Sequence, residues 1–273
     1  RMGHLGVNSI LLTKFANLLI IMIDKMKKVR FAALFAAFVS VIGFSSCLGD
    51  DKTESYDLYD YVTLTDVAGS TSRLKSMISD TYGLTLEPQN ESVIKALKLT
   101  DGTYYERAYV GVKLVEDIEP TRTKYTVSEM QVVEAIPYQG FNQNPDTLDA
   151  KGYGNHGFTA VSKNTWAKTG FLTVPFELRV LDKHASTFYK DIHMYIDKAS
   201  NDTLYTRLRY VRENMEGMAY QFLMSFKLPK ANPLYYQMRP KNDSIIIKVT
   251  APYNEFQNVE SFAKCRFSEL VAY

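Results

Sequence analysis

Cys47 is the residue whose setting most directly implies covalent chemistry. It stands in Gly43-Phe44-Ser45-Ser46-Cys47-Leu48-Gly49-Asp50-Asp51. Upstream, Met26, Lys27, Lys28 and Arg30 form a short cationic segment, followed from Phe31 to Phe44 by an almost unbroken apolar run. That run falls short of the about 20 residues a bilayer span requires. A charged segment, an apolar stretch of this length and small residues at its end mark a secretory signal peptide. With a cysteine next, the order is that of a lipoprotein signal cut after Ser46, so that Cys47 becomes the first residue and carries a diacylglycerol with acyl chains such as palmitate. Phe44 departs from the usual aliphatic residue, and the competing reading of Cys47 is an ordinary loop thiol.

Other chemistry finds little support. There is no G-x-S-x-G elbow, no H-E-x-x-H, no phosphate loop and no cysteine pair at zinc spacing, so no catalytic residue, metal ligand or cofactor is assigned. His156, His184 and His193 are scattered, and His193 is expected on the solvent side of a strand beside Arg207 or Arg209. Cys265 alternates with charged neighbours in "AKCRF" and reads as a small hydrophobe on the apolar face of a strand. Two carboxylates from distant loops could form a glycosidase pair, but nothing selects one.

Residues 1–25 precede the signal at Met26 and read as an upstream or mis-started segment. The alternative, a membrane helix from Ile10 to Ile23, is interrupted by Lys14 and short of a span. Residues 26–46 are the signal peptide and 47–55 a polar, acidic tether. Lys and Arg number 32 in the chain, six of them before Cys47, whereas one of the 30 acidic residues, Asp24, lies there, leaving 26 against 29 in the exported part. That balance offers no basic face for phosphate, and nucleic acid is not an expected partner.

From Tyr56 the pattern is one of strands. "YDYVTLTDV", "SRLKSMIS" and "LTLEP" are three; Asn90 then caps a short helix with Val93, Ile94 and Leu97 on one face; "TYYERAYVGVKLVEDI" and "KYTVSEMQVVEAI" are two more. Three strands, a helix and two strands is the order of an OB-type barrel, assigned to 56–140. The Gly-, Asn-, Asp- and Pro-rich stretch over 141–157 is the linker or junctional loop. Over 158–273 about six alternating segments predict an antiparallel β-sandwich, with Pro175 favouring an edge or bulge and 192–210 a hairpin. The predicted fold class is mainly β: a small OB-type barrel with one short helix, followed by the sandwich.

"SSCLGDD", "TGFLTVPFELRV" and "KDIHMYIDKASNDTLYTRLRY" also resemble the NigD-like lipoproteins of Gram-negative anaerobes of gut and mouth. The resemblance implies an OB-type domain and a β-sandwich behind a lipid anchor, with no defined activity; the family's operon association adds an immunity or toxin-neutralising role as an alternative function. The acidic residues after Cys47, Asp50 and Asp51, resemble an export signal to the outer surface of the outer membrane; an acidic solvated tether is the plainer account. Thr147, Thr203 and Ser244, each after an Asp and before an apolar residue, look like O-glycosylation acceptors of such bacteria, against which stands ordinary turn chemistry. The functional expectation is a non-catalytic envelope protein, held to the membrane by its lipid and binding a glycan or another envelope protein. Nineteen tyrosines offer aromatic platforms, although sheet packing is their commoner use.

Intact mass of the protein from its native membranes tests the anchor. The expected chain begins at a lipid-bearing Cys47, with hexose-scale increments if the three acceptors are used; an unmodified Cys47 in a chain retaining Met26 would overturn export.

Overall fold

Alternation dictates the first half. In the computed structural model, which describes residues 56–66, 75–142, 157–181, 185–211, 217–230, 232–254 and 256–271, five strands close into a barrel of order β1-β2-β3-β5-β4. They are β1 (Leu58–Asp66), β2 (Lys75–Ser79), β3 (Thr85–Pro88), β4 (Arg107–Leu114) and β5 (Lys124–Ala135). Val62, Leu64, Met77, Leu86, Ala108, Val110, Val112 and Val127 point inward, each at a period-two position. Val93, Ile94 and Leu97 plug one end, as expected, but the segment carrying them is a run of turns and a single 3-10 turn, Lys95–Leu97. Asn90 accepts from the backbone N–H of Ser92 at 3.0 Å and so starts those turns without an α-helix following. Closure leaves the barrel without a free sheet edge.

The second half is a sandwich. One sheet is ordered β6 (Tyr138–Gly140), β12 (Met218–Lys227), β9 (Phe171–Val180), β7 (Phe158–Val161), with β8 (Trp166–Lys168) also on β9. The other is ordered β10 (Ile192–Ser200), β11 (Thr203–Tyr210), β13 (Ser244–Pro252), β14 (Asn258–Arg266). Val174, Phe176, Leu178, Met224 and Phe226 form the core with Met194, Leu204, Leu208, Ile245, Ile247 and Val249. Most pairs are antiparallel, but β11–β13 and β6–β12 run parallel, which alternation within single strands does not reveal. The 192–210 hairpin forms, its turn being Asn201–Asp202 with Asn201 at φ 51°. Pro175 lies in the interior strand β9, not at an edge; its carbonyl accepts from Ser162 where β7 ends, so its missing N–H faces the break between β7 and β8. β6, just past the barrel, already belongs to the sandwich sheet.

Barrel and sandwich form one compact unit from Tyr56 to Tyr273. β9 is buried along nearly its whole length, because one face meets the sandwich core and part of the other meets the barrel. The contact is polar and built around Arg107, which is fully buried. All five guanidinium N–H groups find acceptors: Nη1 on Asp80 Oδ1 at 2.9 Å and Thr63 at 2.6 Å, Nη2 on Asp80 Oδ2 at 2.6 Å and Thr173 at 2.9 Å, Nε on Ser225 at 3.4 Å. Asp80 also accepts from the Trp166 indole N–H at 2.7 Å. Thr63, Asp80 and Arg107 come from the barrel and Trp166, Thr173 and Ser225 from the sandwich, so an ion pair within the barrel is tied to the sandwich by the hydrogen bonds from Arg107 to Thr173 and Ser225 and from Trp166 to Asp80. Phe171 closes one side, 5.3 Å from the guanidinium. Among the described residues no buried side-chain polar atom lacks a partner.

Removing one member of such a pair leaves the other as an uncompensated buried charge. Arg107→Met should therefore cost about 3–5 kcal/mol, read from chemical unfolding; a loss below 1 kcal/mol would show that the pair does not hold the junction.

Candidate tyrosine face of the barrel

The alternation that turns Val62, Leu64, Val110 and Val112 inward turns Tyr59 and Tyr61 of β1, and Tyr109 and Gly111 of β4, outward. Tyr61 stands opposite Tyr109 and Tyr59 opposite Gly111 in the antiparallel register. Directly opposed aromatic pairs of this kind are the contacts that stabilise a sheet face. Here they continue into a row. Ring centroids are 5.0 Å apart for Trp166–Tyr61, 4.8 Å for Tyr61–Tyr109, 6.4 Å for Tyr109–Tyr59 and 5.8 Å for Tyr59–Tyr56. The row runs from the Asp80-bound indole in the junction to Tyr56.

Gly111 makes room for it. A Cβ there would lie 2.7 Å from Tyr59 Cε1 and 3.1 Å from Tyr56 Cγ, so the Tyr59 ring rests on bare backbone. Tyr59 is 45% and Tyr82 60% exposed, and Tyr109 lies half-buried between them. Below the surface Asp60 braces the strand: buried, it accepts from Ser79 Oγ, from Thr81 N at 3.0 Å and from Thr81 Oγ1 at 2.7 Å. Glu134 of β5 stands opposite Tyr109 at the margin.

The electrostatics of the face are those of electron-rich rings and carboxylates. Burial, and then the charge of Glu134, pushes the Tyr61 phenol up to about 12. Tyr109 is raised by burial and then by Asp60, Tyr59 and Tyr82. Glu134 reaches solvent, yet the protein around it displaces enough water to raise its carboxyl above the ordinary range. Two cations near the row are paired, Arg107 with Asp80 and Lys113 with Glu129 at 3.0 Å, the Lys113 ammonium also lying 5.9 Å from the centre of the Tyr56 ring. Such a surface presents flat aromatic faces with phenol hydroxyls at their rim.

The sites named from sequence lie elsewhere. Cys47, Asp50, Asp51 and Thr147, with His156 and His184, fall outside the described residues. Thr203 opens β11 half-buried, its hydroxyl bonded to Asp202 at 3.0 Å. Ser244 opens β13 exposed, behind Asp243, whose carboxylate caps the C-terminal helix α1 (Phe267–Val271) through Ser268 N at 2.7 Å. His193 pairs with Arg209 across the hairpin, but it is half-buried, with Nδ1 2.6 Å from Asn142 Nδ2, and burial lowers its pKa. The strand position was legible there; the covering residue comes from the segment after β6 and was not. Cys265 packs against the sandwich core, partly buried. Among the described residues no group of three His, Cys, Asp or Glu side chains is placed to hold a metal. The row itself left a signal in the sequence, tyrosines at i and i+2 out of phase with the apolar residues of "YDYVTL" and "AYVGV".

No family model and no curated protein sequence matches the chain. Solved structures do resemble it. A protein named as toxin-related from Parabacteroides distasonis matches 78% of this chain and 94% of its own, at 17% identity and a TM-score of 0.52. A NigD-like immunity protein from Bacteroides caccae covers 77% and 94% at 17% identity and a TM-score of 0.40, and a protein named as a lipoprotein from Bacteroides fragilis 77% and 97% at 10% and 0.42. The chain's structural neighbours thus include a NigD-like protein, and the likeness to the first of the three is one of fold.

A phenol held near 12 binds its proton in the folded state through a range where the unfolded chain, at about 10, has lost it. Tyr61 therefore stabilises the protein fully below pH 10, and the contribution is lost as pH rises through about 12. Tyr61→Phe should flatten the alkaline limb of the stability-versus-pH curve. An unchanged limb in that variant would remove the phenol as its source.

Proposed function

We propose that this is a lipid-anchored envelope protein, without catalytic activity, whose barrel holds a carbohydrate chain on the tyrosine face. The observation that carries the reading is the row itself. Tyr59 and Tyr109 are partly exposed members of the row, with Gly111 beneath Tyr59 and Trp166 stacked on Tyr61 at the other end, and Tyr82 is exposed near Tyr109. Rings that served only to pack the sheet would need neither a cleared glycine nor open faces. Pyranose rings offer the complementary surface, a flat patch of C–H groups rimmed by hydroxyls; OB-type barrels bind oligosaccharides chiefly on the face of their second and third strands, and the row on β1 and β4 would be a different face of the same barrel. A ligand-holding role also fits the junction, which keeps the face rigid and so lowers the ordering cost of binding. The lipid on Cys47, with Asp50 and Asp51 beside it, places the domains at the outer membrane, on the cell surface in this reading.

The chain's one tryptophan supplies the test, because Trp166 sits 5.0 Å from Tyr61. Titration with soluble neutral polysaccharides should change its fluorescence saturably. Tyr109→Ala should weaken binding by about tenfold or more, the loss of one stacking surface being worth roughly 1–3 kcal/mol. Gly111→Ala should displace the Tyr59 ring and weaken binding while leaving stability within about 1 kcal/mol, since the clash falls on an exposed side chain. Binding that survives in both variants would move the ligand off this face.

A further inference from the structure

The carboxylate of Glu134 differs from those of Asp60 and Asp80, its neighbours at the face, in not being tied into the fold. Asp60 is buried and bonded to Ser79 and Thr81, and Asp80 is held by Arg107 and Trp166. The carboxylate of Glu134 has no hydrogen bond or ion pair among the described residues, although its backbone is fixed opposite Tyr109 in the ladder. Its neighbours worsen its position. The protein around it removes part of its hydration. An exposed, partly dehydrated carboxylate with no bond of its own is set to accept from something that arrives.

We propose that the tyrosine face selects sugars by charge, with Glu134 accepting a hydroxyl hydrogen bond from an uncharged pyranose stacked on Tyr109 and turning away uronate and sulfated chains. The inference rests on the carbohydrate reading above and names its ligand class. An anionic group seated on Tyr109 would meet Glu134, and the negative faces of the phenol rings add to the repulsion, while Lys113, bonded to Glu129 and 5.9 Å from the Tyr56 ring, stands at the far end of the row. A chain bearing free ammonium groups would meet the opposite field and the same rings, an arrangement that attracts cations. The site is therefore open to neutral and amino sugars and closed to acidic ones.

The experiment is a binding series at low ionic strength, where charge effects are least screened, on the exported chain from Cys47, as wild type, Glu134→Gln and Tyr109→Ala. The probes are a soluble neutral β-glucan, polygalacturonate, an N-acetylglucosamine oligomer and its deacetylated form. Wild type should bind the neutral chains, hold polygalacturonate at least about tenfold more weakly, and bind the deacetylated oligomer no more weakly than the acetylated one. Glu134→Gln should lose affinity for neutral chains and close most of the gap to polygalacturonate; Glu134 is exposed, and an unchanged melting temperature establishes that the variant is folded. Polygalacturonate bound by wild type as tightly as the β-glucan, with both lost in Tyr109→Ala, would overturn charge selection while leaving the carbohydrate face standing. A gap unchanged in Glu134→Gln would remove Glu134 as its cause. Failure of every chain to bind would sink both readings together.

Discussion

The bidentate contact between Arg107 and Asp80 is the interaction on which the rest of the structure depends. It lies where two hydrophobic cores meet without merging, one inside the barrel and one inside the sandwich. A flexible pairing of two domains is the ordinary outcome when the surface between them is small and polar. Here the polar groups are dehydrated, and a buried charge pair tolerates very little displacement, because any separation exposes each ion to an apolar surround without its partner. Thr63, Thr173 and Ser225 complete the shell, so the guanidinium fork has one orientation that satisfies all five donors.

From that pair the consequences run outward along the barrel. Asp80 fixes the Trp166 indole, Trp166 supports Tyr61, and Tyr61 aligns Tyr109 and, through it, Tyr59. The aromatic face is thereby attached to the most constrained point of the molecule. Exposed tyrosines on an isolated hairpin would sample several rotamers, and a ligand would have to order them; rings stacked in a row from a buried anchor have been ordered by folding. The same attachment explains the electrostatic character of the surface. Arg107 is consumed by the junction, and what stands beside the exposed rings is Glu134 opposite Tyr109 and the Lys113–Glu129 pair at the Tyr56 end.

Regular alternation carried most of the fold. Ala108, Val110 and Val112 announced β4 and its inward face, Leu172 to Val180 announced β9, and the break at 90–97 marked the plug of the barrel. Where the reading and the structure part, the cause is pairing. A period of two says which residues share a face, but it is silent on the neighbour across the ladder, so the parallel β11–β13 and β6–β12 pairs and the interior place of Pro175 had no local sign. His193 is a case of the same kind: its strand position follows from its neighbours, while the Asn142 amide over it arrives from another segment.

By itself, then, the sequence determined the mainly β class with its change from barrel to sandwich and the inward phase of Ala108, Val110 and Val112, because each of these depends on composition or on spacing within a few residues. The tertiary structure alone decided that Arg107, an arginine at the start of an alternating strand, is buried, that its partner is Asp80 in the turn after β2, and that Trp166 and Ser225, 59 and 118 positions further along, complete the site. Those contacts arise only when the barrel closes and settles on the sandwich. No short-range pattern encodes them, since a polar side chain at a strand end is as well placed for solvent as for burial until a second surface arrives to dehydrate it.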